Sequence, residues 1–299
     1  MVNEIVVESN NTITLEQFDY FRESTYRSVT QLVVEAEIDI VLNEGKFTDA
    51  VKAIFNKITE LIQKFIEWVV GIIKKIKNAI FGRKKNLEKI KRDINAQAKE
   101  AGKQGTSGNS KIDIDYYSMK LKNDLQKYFE ELNKMAEHIN TVDDADYFTK
   151  YDENDDYYAN NKLPEKLTKK KETLDDLHYD FNIEDGIHVD RTSVSDTADA
   201  ANSFIDWIDG QNSNNQKIIQ PMQRYVDNFK KVSRFINTAD HKDATDEQKK
   251  NLIKVANLLF DIENALIKKC TEYIQFNQKL SDTIYDKNMK ELEKFSVMI

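Results

Sequence analysis

Between Leu252 and Thr283, paired positions recur every seven residues: Leu252/Val255, Leu259/Ile262, Leu266/Lys269, Tyr273/Phe276 and Leu280/Thr283. Such spacing forms a coiled-coil-like seam, with Lys269 and Thr283 as its weak places. Thr245 and Gln248 have the spacing of a capping box, in which each side chain satisfies a free amide of the other residue. Together they predict one helix from Thr245 to about Lys294. At about 1.5 Å per residue, a helix of about 50 residues is roughly 75 Å long, a length that suits an elongated bundle or an oligomer.

Turn chemistry points the same way. The 299 residues include 8 glycines and 2 prolines. A β-sandwich or barrel needs turn residues every 8–12 positions, and this chain does not supply them. It also lacks the glycine-rich loops that cradle phosphates in Rossmann and P-loop enzymes. A single cysteine, Cys270, excludes an intramolecular disulfide framework and a cysteine-based zinc site. The expected class is all-α, with an N-terminal helical hairpin module, an elongated C-terminal helical bundle and a long coiled-coil-like last helix.

The N-terminal module begins at Thr14, which has capping-box spacing with Gln17. Phe18, Arg22, Thr25, Val29, Leu32, Ala36 and Ile40 then follow one helical face to about Asn43, with Gly45 as a terminator. A second helix is expected from a Thr48 cap through Phe81, ended by Gly82, with a third, basic helix from Arg83 to Ala101. The second is the most hydrophobic in the chain. Its stripe includes Phe55, Phe65, Trp68, Val69, Ile72, Ile73, Ile76 and Ile80, and Glu67 is the one charged residue between Lys64 and Lys74.

Three glycines fall within Gly102–Gly108, making residues 102–111 the expected flexible linker. The predicted domains are therefore 1–101, the N-terminal amphipathic helical module, and 112–299, the C-terminal helical bundle. In the bundle, Ile114, Leu121, Leu125, Tyr128, Leu132, Met135 and Ile139 mark a helix. An acidic, tyrosine-rich loop covers Thr141–Asn161. Pro164 suits the first turn of a helix running to about Tyr179. Asp185-Gly186 suits a small hairpin. Ser193 is expected to cap a short helix closed by Gly210. The next helix carries Ile218, Met222, Tyr225, Phe229, Val232 and Ile236, with Pro221 in its first turn or at a kink.

Charge is distributed in blocks. Residues 1–45 hold 2 basic and 9 acidic side chains, residues 46–105 hold 15 and 6, and residues 106–299 hold 27 and 37. An overall charge of −8 therefore conceals a basic middle. Residues 74–92 hold nine basic side chains and one acid, Glu88. Such a block can dock on its own chain, on an acidic partner or on a polyanion. Lysine outnumbers arginine 37 to 7, so the block suits non-specific phosphate contact better than base reading.

Catalytic and metal-binding signatures are weak. His138, His178, His188 and His241 lack the two-histidine spacing of a helical zinc site, although His178 and His188 flank the expected hairpin near Glu184, Asp185 and Asp190. Asp152–Asp156 starts like a calcium loop. Tyr157 replaces its glycine and Leu163 its terminal glutamate, which removes that geometry. Cys270 has no histidine near it in sequence to act as a base. No catalytic residue, metal ligand or cofactor is assigned, and a non-enzymatic role is expected. The first ten residues, MVNEIVVESN, do not have the basic start of a signal peptide, and no apolar run is long enough for a transmembrane helix.

Tyr26-Arg27-Ser28-Val29-Thr30, Val34-Glu35-Ala36-Glu37 and the stretch Phe65–Ile76 give residues 20–100 a pattern that resembles virion structural or internal head proteins of large tailed bacteriophages. The resemblance implies a structural or scaffolding interaction protein, capsid-associated or internal, located in the virion or in the host cytoplasm during assembly. Its implied partners are virion proteins or further copies of itself in a homo-oligomer. Residues 74–92 add non-specific nucleic acid or anionic membrane as candidate partners. The expected interaction residues are Phe65, Trp68, Val69, Ile72, Ile73, Lys74, Lys75, Lys77, Arg83, Lys84 and Lys85. The alternatives are a peripheral membrane protein acting through residues 47–81 and a helical enzyme.

Overall fold

The structure, a computed structural model, describes residues 13–42, 47–100, 110–111, 122–139, 162–180, 190–191, 194–238 and 245–297. The fold is all-α. Its helices are α1 (Leu15–Leu42), α2 (Phe47–Glu100), α3 (Lys122–Ile139), α4 (Lys162–Asp176), α5 (Val194–Thr238) and α6 (Asp246–Val297). Two short strands, β1 (Ser110–Lys111) and β2 (Asp190–Arg191), pair antiparallel, Ser110 with Arg191 and Lys111 with Asp190. The expected Asp185-Gly186 hairpin, the acidic loop 141–161, the Gly45 terminator, the Ser193 cap and all but Ser110–Lys111 of the 102–111 linker lie outside the described residues.

Both capping boxes form. The Thr14 amide donates to Gln17 Oε1 at 2.9 Å, and the Gln17 amide donates to Thr14 Oγ1 at 3.2 Å. The same exchange links Thr245 and Gln248, at 2.8 and 3.3 Å. Each box satisfies two amides that a helix start otherwise leaves open.

Three expected boundaries are absent. Gly82 does not end α2, which runs unbroken through the predicted third helix. Gly210 does not end a short helix, and Pro221 sits inside α5, which excludes the first turn of its two expected settings. Thr48 lies inside the first turn of α2, not at its cap. A helical glycine costs only about 1 kcal/mol relative to alanine. Buried residues hold the same face on either side of Gly82: Ile73, Ile76 and Ile80 before it, Leu87 and Ile94 after it. Near Pro221, Ile218, Ile219, Met222 and Val226 are buried, and that packing offsets the lost amide.

The chain divides into two compact units. The first comprises Met1–Gly71, Leu132–His178 and Lys217–Cys270. Its centre is aromatic. Phe18 of α1 stacks on Trp68 of α2 with ring centres 5.4 Å apart and planes 13° apart, and Phe65 lies 5.9 and 6.0 Å from these two rings. Tyr26 meets Phe260 of α6 at 5.9 Å, and Arg22 donates to Asn264 Oδ1 at 3.3 Å. Lys269, a weak place in the seam, donates to the backbone carbonyls of Asp175, in the last turn of α4, and Leu177, just after it.

The second unit comprises Ile72–Glu131, Tyr179–Gln216 and Thr271–Ile299. Tyr273 of α6 lies 6.1 Å from Tyr128 and 5.8 Å from Phe129 of α3, and Tyr179 lies near both Tyr128 and Phe276. The Tyr273 hydroxyl donates to Gln211 Oε1 at 2.9 Å, and Asn214 donates to the same oxygen at 3.0 Å. Both sit in a core that α5 lines with amides as well as apolar groups.

The expected seam on α6 is buried at Leu252, Val255, Leu259, Ile262, Leu266, Tyr273, Phe276 and Leu280. Burial extends further. A second line, Ile253, Phe260, Ile267, Ile274 and Ser281, is covered, as is a third, Ala256, Glu263, Cys270 and Asn277. A two-stranded coiled coil covers mainly two of seven positions, whereas a helix surrounded by neighbours covers more. In each unit its part of the helix is accordingly enclosed on several sides rather than paired along one seam.

Candidate functional site: the outward faces of α1 and α2

Helical periodicity divides α2 sharply. Of the eleven expected interaction residues, Phe65, Trp68, Val69, Ile72 and Ile73 are buried, with Trp68 only 1% exposed. They are core residues of the two units. Lys74, Lys75 and Lys77 are exposed.

The remaining basic residues separate by direction. Arg83 pairs with Asp282, donates to Ser281 Oγ at 2.8 Å and lies over the Tyr285 ring, 5.1 Å from its centre. Lys84 pairs with Asp206. Lys91 binds Asp199 at 2.8 Å, and that hydrogen bond raises the lysine's pKa. Asn202 donates to Glu88 at 3.1 Å, and Asn86 to the Tyr285 hydroxyl at 2.8 Å. Arg83, Lys84 and Lys91 therefore meet acids from α5 and α6 within the second unit.

Lys74, Lys75, Lys77, Lys85, Lys89 and Arg92 are exposed and have no ion pair among the described residues. At about 100° per residue, Lys74, Lys77, Lys85, Lys89 and Arg92 lie within about 60° of one line along the helix. Phe81 lies on that line and is 73% exposed. Sequence reasoning placed Phe81 at a helix end. In an uninterrupted α2 it is an outward aromatic among lysines, a long-stemmed setting that leaves its ring in water.

A second outward face went unrecognised. On α1, Phe18, Val29, Ala36 and Ile40 are buried as the periodicity predicts. Val34, Ile38, Val41 and Leu42 have the spacing of another face, and they are between 49% and 77% exposed. The signal was present: the second half of α1 is apolar on both sides. Glu35 and Glu37 flank this outer stripe and are exposed. Gln31 donates to Glu35 at 2.7 Å.

Among the described residues of the first unit, Glu263 and Cys270 are fully enclosed ionisable groups. Glu263 is fully buried, and neither carboxylate oxygen has a hydrogen-bond partner. Loss of water raises its pKa to about 8, so it is mainly protonated at neutral pH. Cys270, two helical turns on, is also fully buried. Burial, with Glu263 adding to it, pushes its thiol up. Such a thiol is a weak nucleophile. Asp261 is raised by burial, opposed by Lys171. Among the described residues, no three His, Cys, Asp or Glu side chains are placed to hold a metal ion. His178 is exposed, whereas its expected neighbours Glu184, Asp185 and His188 lie outside the described residues. Among the described residues, no helix is long and apolar enough to cross a membrane.

No family model, curated protein or solved structure matches the chain.

Proposed function

We propose that this chain is a non-enzymatic structural or scaffolding interaction protein, held within a larger assembly by its helix faces. The observation that carries this reading is the pair of outward surfaces: an uncovered apolar stripe on α1 and an uncovered cationic row around Phe81 on α2. Helix faces of this kind bind other macromolecules, by apolar burial on one and by charge on the other. The likeness in residues 20–100 makes a bacteriophage particle, or its assembly intermediate in the host cytoplasm, the proposed setting.

Cross-linking followed by mass spectrometry on purified particles tests this. Lys74, Lys77 and Lys85 are expected in cross-links to other virion proteins or to further copies. A chain that is absent from particles and stays a lone monomer refutes the proposal.

A second reading rests on the row of five cations alone, which suits an anionic lipid surface. Flotation with vesicles containing anionic lipid at low salt is then expected to carry the protein upward. Failure to float removes that reading.

A further inference from the structure

We infer that the chain self-associates head to tail, with the outer stripe of α1 in one copy seated on the Phe81 face of α2 in the next. The inference rests on the interaction-protein reading and names its partner as a second copy. The two faces are complementary in two respects. Val34, Ile38, Val41 and Leu42 form an apolar strip about 12 Å long, from 1.5 Å per residue. Phe81 is the exposed large apolar residue of α2. Burying it on such a strip removes apolar area from water on both sides. The rims also match in charge. Glu35 and Glu37 border the strip, while Lys74, Lys77 and Lys85 surround Phe81.

Charge complementarity selects a second copy over an unrelated surface. The α1 helix carries six acids and two arginines. The Phe81 face of α2 carries Lys74, Lys77, Lys85, Lys89 and Arg92, none in an ion pair among the described residues, and the whole stretch from Lys74 to Arg92 holds one acid, Glu88. Each face thus opposes the sign of the other, which steers their encounter and disfavours pairing of like faces. Two α1 stripes together would bring Glu35 and Glu37 against their own kind. Two Phe81 faces would bring lysines against lysines. A contact between unlike faces leaves one of each free, so it repeats beyond a dimer. Faces of this size fall at the small end of protein interfaces, so the association is weak and concentration-dependent.

Sedimentation velocity on the full chain tests the inference. The average mass of the wild type is expected to rise above the 34.9 kDa of one chain as concentration increases. Ile38→Asp and Phe81→Asp are each expected to hold it at one chain. Both positions are exposed, and unchanged thermal melts verify that folding is intact. Two charge-reversed proteins, Glu35→Lys with Glu37→Lys and Lys74→Glu with Lys77→Glu, are each expected to stay monomeric and to associate when mixed. A wild type that remains at 34.9 kDa throughout, or variants that associate as it does, overturns the inference. A monomeric chain that still cross-links to other proteins in particles overturns the inference alone. Self-association by a chain absent from particles leaves it standing and removes the particle reading.

Discussion

Glu263 shows how far a single side chain can set the behaviour of a core. Its carboxyl ordinarily titrates near 4.5 and is raised to about 8 by burial without a partner. In the unfolded chain it ionises freely. Between those two values the folded protein holds a proton that the unfolded chain releases, so stability falls as pH rises. The slope at full effect is about 1.4 kcal/mol per pH unit. Below about 4.5 this effect vanishes, and above about 8 it levels off. Glu263→Gln removes the titration while keeping the size. It is expected to leave stability nearly unchanged at pH 4.5 and to raise it by several kcal/mol at pH 8, a difference urea titrations at the two pH values will measure. Equal effects at both would contradict the assignment. Residues such as Asn215 and Asn277, whose buried amides also lack partners, make the interior less uniform than its apolar periodicity implies.

At the scale of elements, some ends were legible and others were not. Thr14/Gln17 and Thr245/Gln248 could be read because all the groups involved lie within four residues. Gly82 misled, because its local preference is outweighed by burial of Ile80 and Leu87 on the same face. Beyond the adjoining residues and the helix's own backbone, no atom lies within 4 Å of a side-chain carbon added at Gly82 or Gly210. Gly82→Ala and Gly210→Ala are therefore each expected to stabilise the protein by about 0.5–1 kcal/mol. An increase in the denaturant midpoint checks this, and a decrease would show that a break in either helix is needed. Amphipathicity also marked the right residues in Phe65, Trp68, Val69, Ile72 and Ile73. It did not say what covers them: the ring stacked on Trp68 and set near Phe65 is Phe18 of α1, some way off in sequence. Likewise, the pairings of Lys84 with Asp206 and Lys91 with Asp199 span 122 and 108 residues, which local charge counts do not reveal.

The whole molecule is helical because the chain offers few turns and long apolar stripes, and this much was plain from sequence. Division into units was less so. Each unit draws on three separate stretches, and each includes part of α6. The helix carries buried residues from Asn251 to Ser281, more than any seam of two positions per heptad would require. A chain stopped after residue 238 lacks that whole column of side chains. It is expected to lose cooperative thermal unfolding, and a sharp melt with native dispersion in its NMR spectrum would show that the other helices suffice.

The position of α6 has a consequence for synthesis on the ribosome. Neither core can close until the helix that completes it has left the exit tunnel. Until then each core lacks the buried residues that α6 supplies, although Trp68, Phe65 and the rest of α2 are made well before it. Between the synthesis of α2 and that of α6, nascent chains therefore carry their stickiest helix incompletely covered, open to chaperones, to misfolding and to one another.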